Sequence, residues 1–230
     1  MANLEVNSVS KSYETRGEPL RVLGECSLQL SLGENVAIVG PSGSGKSTLL
    51  HIIGTLDTPS SGSVLLDGVN PFELNDKDLA VFRNDQVGFI FQDHHLLPQL
   101  SVLENVLLPA IAHGRATADW VQRGTELIER VGLGDRMNHR PAELSGGERQ
   151  RAAVARALIR KPKLILADEP TGSLDQVNAR HVGELLVGLP VDQPTMLITV
   201  THSLELASRF QNQLQILEGQ LVPVESAAKH

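Results

Sequence analysis

Residues Gly40-Pro41-Ser42-Gly43-Ser44-Gly45-Lys46-Ser47 follow the spacing G-x-x-x-x-G-K-[ST]. Glycines at that spacing let the backbone curl so that consecutive N–H groups point inward, together with the start of the next helix, at an anion. In such a loop Lys46 meets the β- and γ-phosphates, the Ser47 hydroxyl reaches a Mg²⁺ ion, and Thr48 follows in the first helical turn. This is nucleotide chemistry. The run Leu164-Ile165-Leu166-Ala167 ends in Asp168-Glu169. An apolar strand closed by an acid places that acid at the carboxyl edge of a sheet, where α/β folds bind ligands. Asp168 can hold the metal and Glu169 can polarise an attacking water, the two roles a phosphoryl-transfer site requires. A third segment, Leu144-Ser145-Gly146-Gly147-Glu148-Arg149-Gln150, contains a capping box of Ser145 with Glu148. The box leaves two first-turn glycines unexplained, since each costs about 1 kcal/mol against alanine in a helix. Close approach of an anion to the backbone of Ser145, Gly146 and Gly147 would explain them. One chain with one lysine-bearing loop has no use for a second phosphate-binding helix start. Two chains facing each other do.

The elements that must position these groups can be read from periodicity. Residues 36–39 are continuously apolar and β-branched apart from Ala37, as in a strand buried on both faces of a parallel sheet. The glycines follow, then a helical pattern over Lys46–Ile53. Short strands are expected at 4–6 and around the alternating Leu28, Leu30 and Leu32, a hairpin at 61–68 and a strand at 87–91. Residues 98–157 read as helical, with breaks at Gly114, Gly132 to Gly134 and Pro141. Buried strands recur at 164–167 and Met196–Val200. Strands alternating with helices make an α/β fold, with the helical middle inserted as a lobe.

Composition bounds the rest. A chain of 230 residues, 41% apolar and 20% charged, is an ordinary soluble domain expected to fold without staples. No apolar run reaches the roughly 18 residues of a membrane helix. The first residues lack a signal-peptide layout, and the last few, 226–230, are of low complexity. Cys26, the single cysteine, reads as a small buried apolar residue and fits a reducing compartment. A net charge of −7 argues against nucleic acid as a partner. The histidines, His94-His95 included, lack metal-ligand spacing, so zinc catalysis has little support.

The segments 40–47, 144–150, 164–169, Ser173-Leu174-Asp175 and His202 stand in the order and spacing of an ATP-binding-cassette (ABC) ATPase, which the chain resembles over nearly its whole length. The resemblance implies one domain, 1–230, of P-loop α/β fold with a parallel core sheet and an N-terminal antiparallel portion. The core would span about 1–92 and 158–230, and the helical subdomain about 93–157. It implies a head-to-tail homodimer with two ATPs between the subunits, each held by the phosphate loop of one chain and 145–147 of the other. It further implies that Gln92 senses Mg²⁺ and the attacking water, that Asp175 lies at the dimer seam, and that His202 meets the γ-phosphate. Tyr13 looks like the aromatic that stacks on adenine; a plain surface or core tyrosine is the alternative.

Within that family, Gly88-Phe89-Ile90-Phe91-Gln92-Asp93-His94-His95-Leu96-Leu97-Pro98, Leu103-Glu104-Asn105-Val106, Asn138-His139-Arg140-Pro141 and Pro170-Thr171-Gly172 resemble the lipoprotein-releasing branch. Macrolide and bacteriocin exporters and cell-division ATPases share much of this. Ser173 stands where many relatives carry Asn, and Ser203 where many carry Asp. The branch implies a separate membrane permease and a peripheral place on the cytoplasmic face of the inner membrane. Residues 95–97 read either as the exposed docking patch for that permease or as a buried junction of the lobes. A regulatory ATPase that signals through a membrane partner, and a small-molecule kinase, are the competing classes; a kinase has no use for Leu-Ser-Gly-Gly-Glu.

Overall fold

A computed structural model describes residues 3–112, 114, 117–192 and 194–224. In chain order the elements are β1 (Leu4–Tyr13), β2 (Leu20–Leu30), β3 (Asn35–Val39), α1 (Lys46–Ile53), β4 (Ser61–Leu66), α2 (Asp76–Gln86), β5 (Val87–Ile90), α3 (Val102–Ile111), α4 (Ala118–Arg130), α5 (Gly146–Leu158), β6 (Leu164–Asp168), α6 (Gln176–Asp192), β7 (Met196–Val200), α7 (Leu204–Ala207), β8 (Asn212–Leu217) and β9 (Gln220–Pro223). The low-complexity end at 226–230 lies outside the described residues.

Six strands form one sheet in the order β5-β6-β7-β3-β8-β9, parallel except for the β8–β9 pair. Every residue of β3 and β7 is buried, as is β6 up to Asp168. Both faces are therefore covered, which is why these strands read as unbroken apolar runs. The pleat divides them between two cores. Ala37, Val39, Ile165, Ala167 and Leu197 pack with α3 to α6. Val36, Ile38, Leu164, Leu166, Ile198 and Val200 face α1 and an antiparallel sheet of order β2-β1-β4.

That smaller sheet corrects the hairpin expected at 61–68. Only β4 forms there, and its partner is β1, with Val6 opposite Val64. The chain does turn tightly after Leu66, with Asp67 and Gly68 both at positive φ, but the turn closes on a single bridge from Leu66 to Val69. Strand β1 runs seven residues further than the 4–6 expectation and so carries Tyr13 to its end. The 28/30/32 alternation holds for Leu28 and Leu30, whereas Leu32 lies beyond β2 and is exposed. Cys26 is fully buried beside the Gly219 carbonyl, and burial raises its thiol pKa.

Between β5 and β6 the chain is helical, and the expected breaks fall between α3 and α4 and on short turns at 134–136 and 141–143. Helix α3 starts on a Ser101–Glu104 capping box. Asn105, one turn on, is fully buried and holds the preceding loop: Oδ1 accepts from Leu97 N at 2.7 Å, and Nδ2 points at the carbonyls of Leu97, Leu100 and Ser101 at 2.9–3.1 Å. Asn105→Leu keeps the branched shape and the number of heavy atoms but orphans those backbone groups. The expected loss is about 2–4 kcal/mol, seen as a Tm lower by roughly 5–15 °C in calorimetry; an unchanged Tm would show that the loop is held by other means.

Candidate functional site

The phosphate loop joins β3 to α1, which starts at Lys46 as its pattern predicts. Gly45 sits at φ 97 as the helix N-cap, and a Cβ there would lie 2.8 Å from Leu23 Cδ2 and 3.0 Å from the Val22 carbonyl. Both conformation and space demand glycine at that point. Lys46 is buried, with Nζ donating to the carbonyls of Gly40 and Pro41 at 2.9 Å each. Ser44 Oγ is buried in the loop without a hydrogen-bond partner among the described residues. An orphaned hydroxyl beside a lysine-bearing turn fits an anion.

The sheet then delivers the acids. Asp168 ends β6, and its Oδ1 accepts from Ser47 Oγ at 3.0 Å. Burial raises the Asp168 pKa, against the lowering effect of that hydrogen bond and of His51, whose Nε2 lies 3.7 Å from Oδ2. Glu169 follows at φ 44, left-handed for a residue with a Cβ, at a cost of roughly 1–2 kcal/mol. Its N–H donates to the Val200 carbonyl at 2.9 Å. Its Oε2 accepts from Thr201 Oγ1 at 3.1 Å and His202 N at 3.2 Å, with His202 Nδ1 at 2.9 Å. Ser47, Asp168, Glu169 and His202 thus meet at one edge of the sheet.

Gln92 lies just past β5, exposed. Its carbonyl is 3.5 Å from Ser173 Oγ, and its amide faces Gly172, so the loops after β5 and β6 oppose each other. Ser203 caps α7 by accepting from Leu206 N at 3.2 Å, the role an aspartate would play there. Tyr13 remains 40% exposed, with its hydroxyl donating to Asp57 Oδ2 at 2.7 Å.

Ser145, Gly146 and Gly147 stand elsewhere. Among the described residues no hydrogen bond or ion pair joins them to 40–48. The capping box is present in both directions: Glu148 N donates to Ser145 Oγ, and Ser145 N donates to Glu148 Oε2. A neighbour within the chain accounts for one glycine, because a Cβ on Gly147 would lie 2.1 Å from Asn178 Oδ1. Asn178 is itself tied to Asp175, donating from its backbone N at 3.0 Å and from Nδ2 at 2.6 Å. Those hydrogen bonds hold the exposed Asp175 carboxyl below the usual carboxylate range. Gly146 is different: its nearest neighbour would be Leu174 Cδ2 at 3.5 Å, an ordinary contact.

Residues 95–97 divide between the two readings. His95 is exposed but lies edge-on to Phe91, Leu96 packs on the helical core, and Leu97 is 46% exposed. Sequence reasoning passed over the residues that hold this segment. His94 and His95 both have positive φ, and Arg156 donates to their two carbonyls at 2.7 and 2.6 Å. Gln150 bridges Phe91 O and His94 Nδ1. Gln150 and Arg156, six residues apart on α5, fall roughly 120° apart around the helix, so no single polar face marks them in the sequence.

The family model for ABC transporters matches residues 23–172. The chain belongs to that family. Lipoprotein-releasing system ATP-binding protein LolD 1 of Rhodopirellula baltica is 57% identical over 95% of this chain and 96% of its own length. LolD of Shewanella sp. (strain MR-7) is 52% identical over 98% of each. Among solved structures, the dimeric bacterial ABC transporter cassette MJ0796 superposes with a TM-score of 0.88 at 37% identity, covering 99% of this chain and 100% of that one. A second structure of MJ0796, a dimer in a post-hydrolysis state bound to ADP and Pi, gives 0.87 at 36%, with the same coverage. This ABC cassette is α/β, its mixed sheet and helices like those of these relatives. Among the described residues no helix is long and apolar enough to cross a membrane.

The two glycines of the segment 144–150 should therefore respond differently to alanine. Gly147→Ala collides with Asn178 and is expected to lower stability by about 1–3 kcal/mol. Gly146→Ala should leave stability unchanged or raise it by up to about 1 kcal/mol. Urea denaturation of both variants measures this, and equal losses would refute the contact with Asn178.

Proposed function

We propose that this chain is the ATP-hydrolysing subunit of a lipoprotein-releasing transporter, working as a homodimer on a separate membrane permease. The observation that carries the chemistry is the meeting of Ser47, Asp168, Glu169 and His202 at one sheet edge, beside a loop shaped for phosphate. ATP lies with its phosphates along 40–48, where Lys46 turns from loop carbonyls to the β- and γ-phosphates. Ser47 Oγ and the Asp168 carboxylate are hard oxygen donors 3.0 Å apart, a set that suits Mg²⁺, with Gln92 from the facing loop. Bound there, Mg²⁺ would neutralise charge on the β- and γ-phosphate oxygens. Glu169 orients and polarises the attacking water, and its bonds from Thr201 and His202 hold the carboxylate in place for that step. His202 is in reach of both Glu169 and the transferred phosphoryl group.

The second half of each site comes from the partner chain. Ser145 is exposed and Gly146 half-buried, whereas Gly147 is buried against Asn178; among the described residues none of the three bonds to its own phosphate loop, and Gly146 is left open to approach from outside. Asp175, bonded to Asn178 behind Gly147, joins that seam. The core at about 1–92 and 158–230 would carry the phosphate loop, and the helical subdomain at about 93–157 would carry the segment 144–150.

The names of the relatives, ATP-binding proteins of a lipoprotein-releasing system, support both lipoprotein as cargo and a separate membrane permease as partner. The protein would then sit peripherally on the cytoplasmic face of the inner membrane. Co-purification tests this directly: the full chain should bring down an integral membrane permease, and ATPase activity should respond to lipoprotein in reconstituted vesicles. A partner set drawn from division proteins instead would overturn the cargo.

Two variants test the chemistry. Lys46→Ala should lose ATP binding or turnover, and near-normal values of both would remove the phosphate-loop assignment. Glu169→Gln should hydrolyse roughly 10²–10⁴-fold more slowly while forming a stable dimer with ATP and Mg²⁺ but not with ADP. Light scattering after size exclusion reads the dimer; a monomer that still hydrolyses at the wild-type rate would sink both the role of Glu169 and the sandwich.

A further inference from the structure

At the end of β1 the Tyr13 ring is anchored by a cluster that phosphate chemistry does not use. Its hydroxyl donates to Asp57 Oδ2 at 2.7 Å. The other oxygen, Oδ1, accepts from Lys11 Nζ at 2.6 Å and from Thr58 N at 2.7 Å. Lys11 is a buried lysine; its Nζ also donates to the Thr58 carbonyl at 2.6 Å and lies 4.8 Å from the centre of the Tyr13 ring. Asp57 therefore has donors on both oxygens, and the ring has a cation against it. Asp57 is in turn tied to the phosphate-binding helix. After Ile53 the chain folds back, so that Leu56 N and Asp57 N both donate to the His51 carbonyl, at 2.8 and 3.3 Å. The Thr48 hydroxyl, on the first turn of α1, also acts on the phenol.

We infer that Asp57, braced by Lys11, is a positioning residue that locks the exposed Tyr13 ring in one orientation relative to the phosphate loop, so that the adenine base meets a preformed platform. This rests on the reading that Tyr13 stacks on adenine. An exposed tyrosine on a strand end has several rotamers, and a base that must first select one loses affinity to that ordering. With the phenol bonded to Asp57, the selection is made before ATP arrives. The distance from ring to phosphate loop is then set by β1, which carries Lys11 and Tyr13, and by α1, which begins at Lys46 and whose return turn supplies Asp57.

The test separates the tether from the ring. Tyr13→Phe keeps the ring and removes its hydroxyl; Asp57→Ala removes the acceptor. Each is expected to weaken ATP binding by the full chain roughly 3–10-fold, the scale of one hydrogen bond; for Asp57→Ala, which touches no substrate, kcat at saturating ATP should stay within about twofold of wild type. The double variant should bind no worse than the weaker single one, because both cut the same link. Inorganic tripolyphosphate, which has no base, should bind all variants equally. A spectroscopic readout is available because Tyr13 is the only tyrosine. The hydrogen bond to Asp57, with burial adding to it, raises the phenol pKa. Its ultraviolet titration should therefore move to lower pH in Asp57→Ala.

Equal losses for ATP and tripolyphosphate, multiplying losses in the double variant, or an unmoved titration would each overturn the tether. Tyr13→Ala distinguishes the two levels. If it weakens ATP selectively while Tyr13→Phe and Asp57→Ala do not, adenine stacking stands and the tether falls. If Tyr13→Ala leaves the preference for ATP over tripolyphosphate intact, stacking itself is wrong, and the inference goes with it.

Discussion

Val200 lies opposite both Ile38 and Asp168 in the parallel sheet. That register makes β3, β6 and β7 end level, and everything the site requires leaves the sheet within one or two residues of that line. The phosphate loop departs after Val39, the acid pair at Asp168 and Glu169, and Thr201 and His202 just beyond Val200. A slip of one residue in any of these strands would turn its apolar set between the two cores, because the side-chain period is two. Burial on both faces thus fixes the register, and the register fixes the 3.0 Å bond from Ser47 to Asp168. Hydrophobic packing here sets the geometry of the proposed site at a distance.

The edge also carries strain. Glu169 is left-handed at the point where the chain must leave β6 and still present its carboxylate to Thr201 and His202. The ladder bond from Glu169 N to Val200 O and the two donors at Oε2, Thr201 Oγ1 and His202 N, offset that cost. His94 and His95 show the same arrangement past Gln92, where two left-handed residues in succession are held by the guanidinium of Arg156. Burial lowers the Arg156 pKa, and its bonds run to carbonyls rather than to a carboxylate. In both places a loop that must aim one side chain is over-determined by its neighbours.

Helix starts make a contrasting point. Ser101–Glu104 and Ser145–Glu148 form the same reciprocal capping box, so the box alone does not mark a binding site. What distinguishes the second is the pair of glycines after it. One of them makes room for Asn178 of the same chain, and the other has ordinary space above it. Only Gly146 therefore has the open space that a ligand's approach would require; the space beside Gly147 is filled by Asn178.

Much of this was legible in the residues themselves. The strands at 36–39, 164–167 and Met196–Val200, the helix Lys46–Ile53, the capping box and the breaks at Gly114 and Pro141 depend on local pattern, and the structure repeats them. The same patterns supported the α/β class and the order of the segments that mark an ABC cassette. Other features depended on partners far away in sequence. The expected hairpin became a single strand because β1 outcompeted the next segment for pairing, and α2, β8 and β9 went unread because none is both long and strongly periodic. The Asp57 anchor of Tyr13, the Arg156 grip on His94 and His95, and the Asn178 contact on Gly147 join residues 31 to 62 positions apart. Local sequence sets backbone preference and the burial face; which side chains meet across the fold follows only once both cores are packed and the register of the sheet is set.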